Sequence, residues 1–192
     1  MSVEIIDGKY VYFGKYPQTG SEDQPIRWRI VDNTDGLLTL ITDVILFNGD
    51  FDLRYSNYEK SKIRKYITGE FSAFAFSSEE QALIVPTCLE DGICDNVFLP
   101  SLEEMRKIER TERIRKATPY AKSIGTSTYP CTYKSEKHLV DRGWYWTRTP
   151  YKPPYDPTRE HHVWYISYSG SLETRPVWGP DIGAVLMIRV KA

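Results

Sequence analysis

The residues with the greatest capacity for recognition chemistry lie in the last third of the chain, Asp141 to Ala192, which holds Trp144, Trp146, Trp164 and Trp178 of its 5 tryptophans. Tyr145, Arg148, Tyr151, Tyr155, Arg159, Tyr168 and Arg175 stand among them. Tyr, Trp and Arg bury large areas, stack and donate hydrogen bonds while freezing few rotors. The set Tyr145, Arg148, Tyr151, Tyr155, Arg159, Trp164, Tyr168, Arg175 and Trp178 is therefore the predicted ligand surface. Alternation along Trp144-Tyr145-Trp146-Thr147-Arg148 sends Trp144, Trp146 and Arg148 to one side of a strand and Tyr145 and Thr147 to the other. One of those sides is expected to be core. Trp178 leads into the turn residues Gly179-Pro180-Asp181, so it is predicted to be exposed and is the first candidate for a ligand platform.

Catalytic and metal chemistry find less footing. His161 and His162 are adjacent, and neighbours on an extended chain point to opposite faces, so they do not converge on one ion. A thiol nucleophile at Cys131 would need a base such as the isolated His138, and their spacing does not supply the pairing. Cys88, Cys94 and Cys131 form an odd set without a CxxC pair, which predicts reduced, half-buried thiols, no disulfide framework and no structural zinc. The chain lacks a glycine-rich phosphate loop, a Gly-x-Ser-x-Gly elbow and a His-Glu-x-x-His motif. No metal and no cofactor are expected. Glu103 and Glu104 begin a helix, where the dipole favours acids, and that role suffices for them. Arg106, Lys107, Arg110, Arg113, Arg115 and Lys116 alternate with Glu103, Glu104, Glu109 and Glu112, which reads as a solvated, salt-laced helix face rather than a nucleic-acid track.

The elements that must position these residues follow from hydrophobic period and turn chemistry. Lys9 to Phe13 reads as β. Ile26-Arg27-Trp28-Arg29-Ile30-Val31 alternates, with Ile26, Trp28 and Ile30 inward, and Asp35-Gly36 joins it as a hairpin to Leu37–Thr42. Helical spacing of Ile63, Tyr66 and Ile67 predicts a helix over about 58–68, capped by Ser56 or Asn57 and closed by Gly69. Capping boxes at Ser77/Glu80 and Ser101/Glu104 open a short helix ended by Pro86 and a longer one to about Lys116. Thr118-Pro119 opens a fourth, which Gly125 closes. Strands return at 144–149, 163–168, 172–177 and 184–190, and the proline-rich stretch 151–160 is a surface loop. Strands, then helices, then strands make an α+β class with an antiparallel sheet whose first and last segments are free to pair.

A chain of 192 residues supports a single domain over 1–192. Hydrophobic content of 41% with 27% charged residues excludes disordered and fibrous classes. A formal charge of -1 gives no global attraction to nucleic acid or an anionic membrane. The opening MSVEIIDGKYVYFG has no basic, then apolar, leader and no later run reaches a spanning length, so a cytoplasmic protein, or one exported by a route the sequence hides, with no membrane partner is expected.

The succession Phe13-Gly14-Lys15-Tyr16-Pro17-Gln18, Pro25-Ile26-Arg27-Trp28-Arg29-Ile30, Ser61 to Ile67 with Gly69-Glu70-Phe71, Ala75 to Glu80, Val97 to Glu104 and Trp144 to Pro150 resembles a bacterial and phage domain family of unknown function. The resemblance implies a C-type-lectin-like fold, related to the formylglycine-generating enzyme group, with a tryptophan-rich late strand and long loops presenting a ligand surface. Where that family closes on a Gly-Val-Arg-Pro-Ala-Leu run, this chain has Gly183-Ala184-Val185-Leu186-Met187-Ile188, so the family's arginine has no counterpart. Calcium-site tripeptides of sugar-binding C-type lectins are absent, and no cysteine follows Cys131 to supply an oxidase pair.

The expected function is a non-catalytic binding module for a protein, glycan or small ligand, presenting the loop 151–159 and the Trp178 turn. Two alternatives stand beside it: an enzyme of unrecognised class using Cys131 or a histidine such as His162, and a phage or mobile-element inhibitor of a host factor.

Overall fold

In the computed structural model, which describes residues 3–20, 22–90, 92–130, 132–152 and 157–192, the alternating run at Ile26 is part of a long strand, Asp23–Thr34. Ile26 and Trp28 are fully buried, Ile30 is half-buried, and the Trp28 indole donates to the Phe13 carbonyl at 2.7 Å. The Asp35-Gly36 turn pairs Thr34 with Leu37, as the hairpin predicts, with both turn residues at positive φ. Strands Ile5–Ile6, Tyr10–Pro17, Asp23–Thr34, Leu37–Thr42, Met187–Lys191 and Val97–Phe98 form one antiparallel sheet in that order. A second sheet runs Leu172–Pro176, His162–Ile166, Tyr145–Pro150, Gly183–Ala184 and Phe47–Asn48.

The α+β reading holds in its coarse form, a sheet-rich chain with short helices in its middle, but its topology differs from the expected one. Two large sheets and two two-stranded ladders replace one sheet. Tyr145 pairs with Gly183 in parallel, as does Lys116–Ala117 with Val44–Ile45. The closing segment expected as a single strand divides into Gly183–Ala184 in the second sheet and Met187–Lys191 in the first. It crosses at buried Val185 and Leu186, where Leu186 exchanges bonds with Thr42. The last strand consequently lies beside Leu37–Thr42 and Val97–Phe98, not beside the first strands.

Local caps decide the helices. Ser77 and Ser101 form complete capping boxes with Glu80 and Glu104, and Thr118 caps Pro119–Ser123 with proline in the first turn. The first helix departs from expectation. Ser61 caps Lys62–Tyr66, and the backbone continues through a π turn, Ile67–Phe71, into Ser72–Ala75, so Gly69 does not close it. Burial of Ile63, Ile67, Phe71 and Ala75 along one side carries the helix through that glycine. The helix from Ser101 ends at Arg106, well short of Lys116, because the chain turns at Arg110–Arg113 and enters a strand at Lys116.

Two expectations about polar residues are also corrected. Cys88 and Cys94 oppose each other in the ladder of Thr87–Cys88 with Cys94–Asp95 and are joined by a disulfide with Cα atoms 4.0 Å apart. A hairpin brings together cysteines whose spacing shows no CxxC signature, so these two are not reduced thiols. The basic run is a solvated face only in part: Arg106, Lys107, Arg110 and Lys116 are exposed as expected, but two of its members turn inward. Arg115 is buried and donates to the Thr42, Glu112 and Ile114 carbonyls, and Arg113 reaches the Ile108 and Gly170 carbonyls. No helix among the described residues is long and apolar enough to cross a membrane.

Candidate functional site

The site is built on the strand Tyr145–Pro150, which has core on both sides. Tyr145, Trp146, Thr147 and Arg148 are all buried, so the expectation that only one side faces the core is corrected. Tyr145 is 0% exposed and its hydroxyl donates to the Arg113 carbonyl at 2.7 Å, which places it in the interior rather than on a ligand surface. Trp146 donates to the Gly49 carbonyl at 2.9 Å and meets Phe51 edge-on at 5.8 Å. Beyond Trp146 the register with His162–Ile166 shifts, and the Arg148 amide leaves that ladder to donate to the Pro100 carbonyl at 2.8 Å. Such an irregularity re-aims the side chains that follow it.

Arg148 is only 4% exposed, yet four carboxylate contacts converge on it. Nη1 donates to the Leu99 carbonyl and to Glu104 Oε2, both at 2.7 Å. Nη2 reaches Glu104 Oε1 at 3.2 Å and Glu90 Oε1 at 2.8 Å, and Nε reaches Glu90 Oε2 at 3.0 Å. Burial alone would lower the guanidinium pKa; the bonds and charges of Glu104 and Glu90 outweigh it and hold the group above its ordinary value. Burial likewise pushes Glu90 upward, but its own backbone N–H and the charge of Arg148 bring it below the usual carboxylate range.

Arg148 forms the floor of a groove of about 870 Å³. Tyr151 and Trp164 make one wall, edge to face with centroids 5.7 Å apart. Ser56, Asn57, buried Tyr58, Ser101, Glu103 and Glu90, whose carboxylate bonds the guanidinium, complete the lining. Lys152 and Glu160 are exposed lining residues, and the Ser56 hydroxyl donates to the Glu160 carbonyl at 2.8 Å. The Tyr58 hydroxyl accepts from the Leu99 amide at 3.2 Å, and burial raises its pKa despite that bond. Aromatic faces, hydroxyls and ionised groups in a half-open groove suit a polar ligand with one apolar face.

Three of the nine expected ligand residues, Arg148, Tyr151 and Trp164, meet in this groove. Tyr168 packs instead on Tyr129 at 4.5 Å and on Trp144 at 5.4 Å. Arg175 pairs with Asp181 at 2.8 Å. Arg159 is exposed on the turn Pro157–Arg159. Trp178 is exposed as expected, at 50%, but it lies against His161 with ring centroids 5.9 Å apart and does not line the groove. Tyr155 lies outside the described residues, as does Cys131. His138 is exposed, with Nδ1 3.1 Å from the Ser135 carbonyl. Among the described residues no three His, Cys, Asp or Glu side chains gather to hold a metal ion. The sequence reading missed Glu90, Ser56 and Asn57. Glu90 lies between two cysteines six residues apart, a spacing that by itself marks no site.

A family model described as Domain of unknown function (DUF6273) matches residues 35–180. The segments Phe13 to Gln18 and Pro25 to Ile30 fall before that span. No curated protein and no solved structure matches the chain.

Proposed function

Because the chain belongs to the DUF6273 family, a domain of unknown function, we propose its role from the groove itself: a non-catalytic binding module that holds a small polar ligand, or the exposed end of a peptide or glycan, against Tyr151 and Trp164. The observation that carries this reading is the convergence of Arg148, Tyr151 and Trp164, from two adjacent strands and the segment after the first of them, on one groove. Aromatic walls supply stacking area and the ionised groups beneath them fix orientation, which is the division of labour of most ligand pockets. A C-type-lectin-like identity for the fold belongs to the same proposal. It is supported by the aromatic strand Tyr145–Pro150 and by the surface segment that follows it along the groove.

The compartment bears on this reading. An exposed Cys88–Cys94 bridge persists where thiols are oxidised and is open to reduction in the cytosol, so cytoplasmic placement predicts a module working with that bridge open.

A thermal-shift screen against neutral and acidic sugars and short peptides tests the binding reading. Ligand at about 100 times its dissociation constant adds about 2.7 kcal/mol, and each kcal/mol moves the midpoint of a domain this size by about 2–4 °C. The expected result is a shift that Trp164→Ala removes while the circular dichroism spectrum stays unchanged. A shift that survives Trp164→Ala, or no shift with any compound, overturns the groove as the binding site for such ligands.

A further inference from the structure

We propose that the Nε–Nη2 edge of Arg148 is the anchor for a ligand's carboxylate, and that Glu90 occupies that anchor as a resident stand-in which the ligand displaces. The inference rests on the groove reading and specifies the chemistry of its floor.

The two carboxylates on Arg148 are not equivalent. Glu104 is fixed from behind: its Oε2 accepts the Ser101 amide at 2.6 Å, while its own amide donates to Ser101 Oγ at 3.1 Å. Releasing it would open a capping box and strip a buried guanidinium of its inner partner. Glu90 is held far less. Its side chain is 64% exposed, and it takes Arg148 by the Nε–Nη2 edge that meets the groove. Its carboxylate can return to solvent while Glu104 still holds the guanidinium, so releasing it strands no buried charge without a partner.

Exchange is therefore cheap for one class of ligand. A planar carboxylate entering the groove takes over the same two N–H donors in the same bidentate geometry, so Arg148 never stands unpaired. A neutral amide or ester brings no charge to replace that of Glu90 and gains nothing from the exchange. The walls add a second requirement, because Tyr151 and Trp164 reward a ring or apolar face next to the carboxylate. Uronic sugars and peptides ending in an aromatic residue both meet this description.

Glu90 remains close after displacement. The Leu89 amide donates to the Ile93 carbonyl at 2.7 Å across the turn that carries it, which holds the turn whether the Cys88–Cys94 bridge is closed or reduced. Leaving Arg148 is then a side-chain rotation rather than a departure of the turn. A tethered competitor acts at an effective concentration of about millimolar, so it weakens every carboxylate ligand by a constant factor.

The test is titration calorimetry on the full chain with D-glucuronate and N-acetylphenylalanine, each against its neutral counterpart, methyl glucoside and N-acetylphenylalanine amide. In Glu90→Ala, at least one acid is expected to bind at least tenfold tighter than in the unaltered protein, while the neutral counterparts bind unchanged. Glu90→Gln, which preserves side-chain size, moves in the same direction. Which acid gains most assigns the ligand to the sugar or the peptide source. Equal tightening of acid and neutral compound, or no tightening in either variant, overturns the proposal. Binding of a neutral compound that Trp164→Ala removes, without any gain for acids in the Glu90 variants, leaves the groove reading standing and removes this inference alone.

Discussion

Arg148 and Glu104 share two hydrogen bonds, at 2.7 and 3.2 Å, through the same carboxylate that closes the capping box on Ser101. One acid thus fixes both the start of the helix Leu102–Arg106 and the floor of the groove. The two roles separate by mutation. Ser101→Ala removes only a cap and is expected to cost about 1 kcal/mol. Glu104→Ala removes the inner partner of a buried cation and is expected to cost about 3–5 kcal/mol in denaturant unfolding. Equal losses for the two variants would show that the ion pair adds nothing to the cap.

The Cys88–Cys94 bridge closes a short turn, with a sequence separation of 6, and both cysteines are exposed to reductant. Restricting a loop of that length in the unfolded chain stabilises by about 2 kcal/mol on the loop-entropy account. Reduction by a dithiol, or Cys88→Ser with Cys94→Ser, is therefore expected to lower the thermal midpoint by about 4–8 °C at this chain length. A scan with and without reductant reads the effect directly. An unchanged midpoint would mean that the turn is held by its own backbone bonds, Leu89 to Ile93 and Gly92 to Leu89.

The parts of this molecule that were legible in the sequence are those decided within a few residues. Ser77, Ser101 and Thr118 cap helices because the acceptor and its N–H are three positions apart. Asp35-Gly36 makes a hairpin because the turn itself needs positive φ. Residues whose roles depend on distant partners were not legible. Tyr145 reads as a recognition residue by type, yet its hydroxyl bonds Arg113, 32 positions away, and it is interior. Arg115 reads as one of a row of surface cations, but it turns inward to Thr42. Glu90 carries no signal of its own, since its relation to Arg148 spans 58 positions and depends on a hairpin that only the fold reveals. Arg148, Tyr151 and Trp164 were found because aromatic and arginine residues crowd one short segment, a bias of composition that survives ignorance of the topology.

Asp52 organises the segment that leads into the groove at Ser56. Its Oδ1 accepts the Arg54 and Tyr55 amides at 2.8 and 3.1 Å, and its Oδ2 accepts the first helical amide, of Lys62, at 3.0 Å. Burial raises its pKa, but these backbone donors prevail and hold it below the ordinary 3.8. A carboxyl depressed in the folded state adds stability above its unfolded value and loses that contribution as the pH falls through its folded value. Asp52→Ala should therefore cost about 1–2 kcal/mol at neutral pH. The gap between variant and parent should narrow as the pH drops below 3.8. Denaturant titrations across that range read the effect, and a gap independent of pH would show that the loss is packing rather than charge.

The tryptophans divide into three roles that one set of substitutions can separate. Trp146 is fully buried against Phe51, so Trp146→Ala is expected to cost about 3–5 kcal/mol by opening a cavity and stranding the Gly49 carbonyl. Trp178 is half-exposed and touches His161 outside the groove, so Trp178→Ala should stay within about 0.5 kcal/mol of the parent and leave groove ligands bound. Trp164 lies between these limits: it is half-buried, it meets Tyr151, and it forms the wall. Its removal should abolish ligand binding at a modest cost in stability. If ligand binding instead disappears with Trp178→Ala and survives Trp164→Ala, the working surface is the turn around Gly179, and the groove floored by Arg148 serves the fold alone.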